Sequence, residues 1–378
     1  MRGVRVAIGV GIWVAWLAAP SRGFAAGEAA RPRVENVVVV TWDGFRPEEF
    51  FGGAQDALLD KKAGGVPDVE GLRARYGRGT PEERRAALLP FVWGTMARDG
   101  QVFGDRSKGS PTTLTNGKKF SYPGYHELFC GFGDARIDSN AKKENPNASV
   151  FEFLDGRPGL RGRVAAFGTW DVFTAILRSD RNGLKVHTAY DAIVDPPLTD
   201  RQRFLNDMVG RLPRVWPDNG FDAITLATAR EHALRHKPRV LFIGLGETDE
   251  WAHARKYDLY LEAAHAADRD LGELWAALQA LPEYAGKTAL LVTADHGRGV
   301  GPEDWTSHGQ NTVGAEYLWV ALLAPGTAPA LGVRSGVATT QSQVAATIAD
   351  LLGEDFAATD PRIARPLPDA RGAAPRSP

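Results

Sequence analysis

The chain has 378 residues, 43% of them hydrophobic, with 42 Gly and 24 Pro, which suits one large globular domain or two merged ones with a sizeable core. Lys and Arg number 45 against 46 Asp and Glu, so the net charge of -1 argues against general affinity for nucleic acid or anionic membrane, and an anionic substrate must be attracted locally. The one cysteine, Cys130, excludes an internal disulfide framework and any Cys-based zinc spacing, leaving oxygen and imidazole as the available metal ligands.

Arg2 and Arg5 precede an apolar stretch from Val6 to Ala19, then Pro20 and small residues at Ala25 and Ala26. This is the shape of a secretory signal over residues 1–26, too short for a spanning helix, and it predicts a periplasmic or secreted protein without stable membrane insertion. The run Glu35–Thr41 reads as a parallel strand buried on both faces and delivers Asp43 just past its carboxyl end, where a turn or cap Asp is the plainer alternative. Thr80-Pro81-Glu82-Glu83 reads as a capping box opening a helix to about Ala97, and Gly104–Lys119 reads as a long loop.

Ser121 stands before Pro123 and a short predicted helix over Gly124–Phe129, a position suited both to capping and to attack on an anionic substrate. Cys130 ends an apolar run and reads as a buried structural thiol. Asn140, Asn145 and Asn147 follow in a polar loop, and Asn147 with Ser149 formally matches a glycosylation acceptor. A βα alternation continues through a strand over Arg163–Phe167, a helix over Asp171–Leu177 and a helix over Asp222–Arg235, giving an α/β reading with a largely parallel sheet.

The strand Arg239–Leu245 is followed by Asp249 and, four residues on, His253. If Asp249 opens a helix, that spacing puts both side chains on one face, and the helix is expected to continue to about Leu281 with Leu259, Leu271 and Leu274 packed on the sheet. His265 within it reads as a surface or packing residue. A third apolar run, Ala289–Val292, delivers Asp295 and His296 side by side into a Gly-containing loop, and ligands gather at such strand ends in open α/β sheets. His308 follows in another Gly-rich loop, Tyr317–Ala324 supplies one more strand, and Gln341–Leu352 a closing amphipathic helix. Residues 32–364 make the domain, residues 365–378 read as a disordered tail, and residues 51–110 and 178–236 are expected to form small caps.

The order of these residues, an Asp after a strand, a Ser before a helix, Asp249 and His253, the pair Asp295-His296, then His308-Gly309, resembles the alkaline phosphatase superfamily, and within it the type I phosphodiesterase and nucleotide pyrophosphatase branch. The resemblance implies a three-layer αβα sandwich and two metal ions, usually zinc. One would be held by Asp249, His253 and His308, the other by Asp43, Asp295, His296 and the Ser121 oxygen, a ligand set that zinc accepts. It implies hydrolysis of a small-molecule phosphoric ester through a covalent phosphoserine at Ser121. The alternatives are a sulfuric or phosphonic ester hydrolase and a non-catalytic, metal-stabilised binding protein. The sulfatase motif's Arg is replaced by Tyr125. Family diesterases hold a phosphoryl oxygen with an Asn, for which Asn140 is the nearer candidate and Asn145 a rival; Arg298 could bind an anion or form a surface ion pair.

Overall fold

Four consecutive valines, Val37 to Val40, set the architecture, because side chains alternate across a strand and all four are buried. Val38 and Val40 enter one hydrophobic cluster and Val37 and Val39 the other, so the strand must be covered on both faces. Each such valine contributes about 2 kcal/mol of transfer free energy. In the computed structural model, which describes residues 34–326 and 330–371 together with residues 1 and 3, this strand is β1 (Asn36–Trp42). The expected signal segment otherwise lies outside the described residues, among which no helix is long and apolar enough to cross a membrane.

The strands in chain order are β1, β2 (Gln101–Phe103), β3 (Thr112–Thr113), β4 (Val164–Gly168), β5 (Lys185–Thr188), β6 (Val240–Leu245), β7 (Thr288–Thr293), β8 (Tyr317–Leu318), β9 (Val320–Leu323), β10 (Gly332–Val333) and β11 (Thr339–Thr340). Eight form the main sheet in the order β10-β2-β9-β7-β1-β6-β4-β5, and β11-β3-β8 form a small second sheet. Within the main sheet β7, β1, β6, β4 and β5 run parallel, and only β9 runs against its neighbours. The register aligns Trp42 with Leu245 and Thr41 with Thr293, so the carboxyl ends of β1, β6 and β7 lie level.

Helices Asp222–His236 and Tyr257–Gln279 pack on the face of Val38, whereas Ser121–Cys130, Val150–Asp155 and Gln343–Leu351 pack on the face of Val37. The result is the expected three-layer αβα sandwich. The segments expected as caps are more integral than that: β2 lies within 51–110, and β5 and the Asp222–His236 helix lie within 178–236.

Other boundaries also differ. The helix expected to run unbroken to Leu281 divides into Glu247–His253 and Tyr257–Gln279. Arg255 takes a positive φ of 52° there, and the Tyr257 amide donates to Gly64 instead of continuing the helix. Gly65 makes this approach possible, since a Cβ on it would meet the Arg255 carbonyl at 2.0 Å. Leu271 and Leu274 pack as expected, but Leu259 is 36% exposed, its place taken by Tyr257 and Tyr260. His265 accepts its expected packing role, with Nδ1 2.8 Å from the Leu88 carbonyl.

The helix opened by the Thr80 capping box stops at Leu88, before Pro90, and a π-helical turn follows over Val92–Met96. The apolar run at 317–324 splits at Trp319, which stacks on Phe50 at 3.9 Å and donates to the Phe45 carbonyl. The expected loop Gly104–Lys119 carries β3 and a 3-10 turn. Packing continues past residue 364: Leu367 and Ala370 are buried, the Leu367 amide donates to Thr347, and Gln101 donates to the Asp369 carbonyl, so the described part of the tail to residue 371 is held. Cys130 is buried, with its thiol pushed up to about 12 by burial, which fits a structural role.

His126, inside the Ser121–Cys130 helix, is fully buried and lies 2.8 Å from the Asn147 amide nitrogen. Burial lowers its pKa to about 4, outweighing the attraction of Asp134. The unfolded chain therefore takes up a proton first as pH falls, so stability is full above pH 6.5 and is lost as pH drops from there through 4. In urea unfolding at pH 7 and pH 4, His126→Gln should make the stability lost between the two smaller by on the order of 3 kcal/mol than in the parent.

Candidate metal centre

The level strand ends bring together segments distant in sequence. Asp43 follows β1, and its amide continues the ladder by donating to Leu245 at 2.9 Å. Asp295 and His296 follow β7, whose exit is held by Gln341 donating to the Ala294 and Asp295 carbonyls at 3.2 and 3.0 Å. Asp249 and His253 stand one turn apart on the Glu247–His253 helix after β6, with His253 Nε2 3.1 Å from Asp249 Oδ2. His308 arrives from the following loop.

Ser121 is the first residue of its helix, which begins three residues earlier than the sequence reading placed it. Pro123 falls in the first turn, where a missing N–H costs nothing. The Ser121 hydroxyl makes no capping bond; its Oγ lies 3.3 Å from His296 Nε2. The same Nε2 is 3.3 Å from Asp43 Oδ1 and 3.6 Å from Asp295 Oδ2. Donor atoms about 2.0–2.1 Å from a tetrahedral ion are separated by about 3.3 Å. The separations from His296 Nε2 to the Ser121, Asp43 and Asp295 oxygens are of that size, and the ligand atoms of Asp43, Asp295 and His296 all lie within 4.8 Å of one another.

His296 Nδ1 lies 2.9 Å from the Gly297 carbonyl, which can only accept, so Nδ1 carries the proton and Nε2 presents its lone pair. Asp43 Oδ1 and Asp295 Oδ2 are buried without hydrogen-bond partners. Burial raises both carboxyls well above their ordinary range, Asp249 adding to the effect at Asp43 and Asp43 to that at Asp295. Unpartnered buried oxygens aimed at a bare imidazole nitrogen are the donor set of a cation site.

Asp249, His253 and His308 form the second group. His308 Nε2 lies 3.0 Å from His253 Nε2 and 3.7 Å from Asp249 Oδ1. Burial, reinforced by His296, pushes His308 down to about 2, so its ring is neutral. The His296 and His308 rings stack with centroids 4.2 Å apart, which makes the two groups neighbours.

Arg298 does not form a surface ion pair. It is fully buried, pairs with Asp249 Oδ1 and donates to the Thr306 carbonyl. Burial works to raise the Asp249 carboxyl, but Arg298 prevails and holds it well below its ordinary range. Asn140 and Asn145 separate clearly: Asn140 accepts from the Tyr122 amide at 2.9 Å beside Ser121, while Asn145 is buried and donates to the Ile176 carbonyl. The Asn147 amide nitrogen is engaged by His126 and Asp134, which does not suit a glycosylation acceptor.

Supporting residues that the sequence reading did not assign are Tyr125, which donates to Asp43 Oδ2 at 3.2 Å, and Thr248, which donates to the Asp43 carbonyl at 2.6 Å. Glu127 accepts from the amides of Thr115 and Asn116 and from the Ser342 hydroxyl, tying the preceding loop to the serine helix. Gly44 has φ +59°, its amide donates to Asp295 Oδ1 at 3.0 Å, and a Cβ there would meet Asp249 Oδ1 at 2.7 Å.

The profile of the metalloenzyme superfamily matches residues 218–355, which carry Asp249, His253, Asp295, His296 and His308. A comparison with curated protein sequences finds no match. Among solved structures, the chain is similar to alkaline phosphatase PafA (TM-score 0.57, 10% identity, covering 89% of this chain and 99% of that one). It is also similar to a phosphonate monoester hydrolase from Silicibacter pomeroyi (0.51, 15%, 90% and 78%). A third is an alkaline phosphatase superfamily protein from Vibrio parahaemolyticus (0.50, 14%, 90% and 72%). The resemblance to that superfamily thus holds in the fold and in the metalloenzyme match; the phosphodiesterase branch is not singled out.

His296→Ala should abolish divalent metal binding at its own ligand group and spare that at Asp249, His253 and His308, read by elemental analysis of the metal-loaded variant against the parent, since the neighbouring group keeps its three side chains. Gly44→Ala should weaken metal binding by about tenfold or more in a chelator competition, because its Cβ displaces two ligand-bearing segments in a left-handed backbone.

Proposed function

We propose that this protein, an alkaline phosphatase-like chain with a metalloenzyme match, is an exported metal-dependent hydrolase of phosphoric esters that acts through Ser121 with two zinc ions. The observation that carries this reading is the convergence of Ser121 Oγ, Asp43 Oδ1 and Asp295 Oδ2 on His296 Nε2, at 3.3, 3.3 and 3.6 Å, beside a second ligand group. Asp43, Asp295, His296 and Ser121 would hold one ion, and Asp249, His253 and His308 the other. Bound there, the ions would lower the pKa of the serine hydroxyl and offset charge on the attacking and leaving oxygens of an in-line displacement.

The chain's own part is positioning and covalent. Ser121 Oγ forms the bond to phosphorus as the ester oxygen departs on the opposite side, and water later cleaves the phosphoserine. Asn140, with its Oδ1 occupied by the Tyr122 amide, has its NH2 left to donate to a phosphoryl oxygen. Tyr125 fixes the Asp43 carboxylate, and burial keeps its phenol protonated as a donor. The sequence carries Tyr125 where sulfatases of this superfamily place an Arg, which favours a phosphoric over a sulfuric ester.

Ser121→Ala should lower turnover of nitrophenyl phosphate mono- or diesters by at least about a thousandfold while retaining bound zinc. Full activity in that variant would remove Ser121 from the mechanism. Nitrophenyl sulfate and phenylphosphonate esters in the same panel separate the other ester hydrolases, and absence of turnover with every ester would favour a metal-stabilised binding protein. Asn140→Ala should cut kcat by about tenfold or more without changing zinc content, as expected for one donor to the transferring group.

A further inference from the structure

A cavity of about 650 Å³ opens on the far edge of the main sheet, between β4, β5, the Asp222–His236 helix and the loop after β5, and shares no residue with the metal centre. Three of the chain's eight histidines line it: His187, His232 and His236. With Phe167 they form a run of rings, Phe167–His187 at 5.7 Å and 31°, Phe167–His232 at 5.1 Å and 54°, and His232–His236 at 4.6 Å and 32°. His232 and His236 stand one turn apart on the helix, which is why both face the cavity. Leu184, Val186 and Ile193 add aliphatic wall.

The polar groups define what would fit. Both carboxylates at the lining are already occupied: Asp195 accepts from His236 at 2.7 Å, from Gln202 at 3.3 Å and pairs with Arg235, while Asp191 accepts from the Thr188 amide and hydroxyl. The cavity therefore does not call for a cation. His187 Nε2 is buried without a hydrogen-bond partner. Burial lowers the pKa of that ring over the opposing pull of Asp191, so the ring is neutral, with one N–H and one bare nitrogen. In the tautomer that carries its N–H on Nδ1, Nε2 is an acceptor without a donor.

We propose that this cavity is a second small-molecule site, which takes a flat heteroaromatic ring bearing an N–H: the ring lies against the Phe167 and histidine faces, and the N–H donates to His187 Nε2. Its volume is in the range of pockets that enclose a small organic ligand, and offset ring packing at these separations is favourable. The same helix joins it to the metal-ligand segment, since Asp222 at the helix start accepts from the Gly246 and Glu247 amides just before Asp249.

Indole and 1-methylindole are suitable probes because neither has a lone pair suited to binding zinc. In an NMR titration of the zinc-loaded full chain, indole should bind saturably at one site with a millimolar Kd, and 1-methylindole about three- to tenfold more weakly, the worth of one hydrogen bond. His187→Phe keeps a ring but removes the acceptor, and should bring the two probes within about twofold. Ile193→Trp, on the half-buried loop, should abolish binding by filling the cavity, with folding of both variants followed by thermal unfolding. Ser121→Ala should leave indole binding unchanged, so this result stands apart from the hydrolase reading. Absence of saturable binding, equal or tighter binding of 1-methylindole, or a preference that survives His187→Phe would each overturn the proposal.

Discussion

Crowding of buried carboxylates is the constraint on which the rest of the structure depends. Asp43, Asp249 and Asp295 meet around His296, with side chains no more than 14% exposed. Two like charges about 4 Å apart repel by about 4 kcal/mol even at an effective dielectric of 20. Arg298 answers one of the three, and the other two keep oxygens with no hydrogen bond. Such an arrangement persists only where the surrounding fold is rigid enough to impose it and where positive charge is available to relieve it. The valine-rich centre of the sheet supplies the first condition and the two ligand groups point to the second.

That rigidity is distributed unevenly. The carboxyl ends of β1, β6 and β7 are fixed by a ladder with hydrophobic cover on both faces, whereas Ser121 belongs to a helix set by packing and by Glu127. Gly124 on that helix lies so close to Asp295 that a Cβ would meet its carbonyl at 2.4 Å. The nucleophile candidate is thus registered directly against the ligand loop. A shift of the helix would be felt at Asp295 without passing through the sheet.

What was legible in the sequence follows the same division. Doubly buried strands read as unbroken apolar runs, so β1, β6 and β7 and the acidic or imidazole groups just past them could be found from pattern alone. The short strands β2 and β5 could not, because a three- or four-residue strand leaves too little periodicity, and β5 is only partly buried. The break at Arg255 depends on a distant glycine pair, and the support of Asp43 by Tyr125 depends on tertiary approach across 82 residues. The buried pairing of Arg298 with Asp249 is equally hidden, because a lone arginine in a loop gives no sign of the carboxylate that will bury it.

The contact between Asp43 and His296 spans most of the domain, and His308 must still arrive to stack on His296. While the chain is being made, one ligand group is complete only when residue 296 has emerged and the other only when residue 308 has. Pairing of β1 with both β6 and β7 is a long-range event that local helix formation cannot replace, so closure of the centre belongs to the late part of folding. A metal ion arriving earlier would find scattered single ligands; one arriving afterwards would find a finished site and would hold the two ends of the sequence together against unfolding.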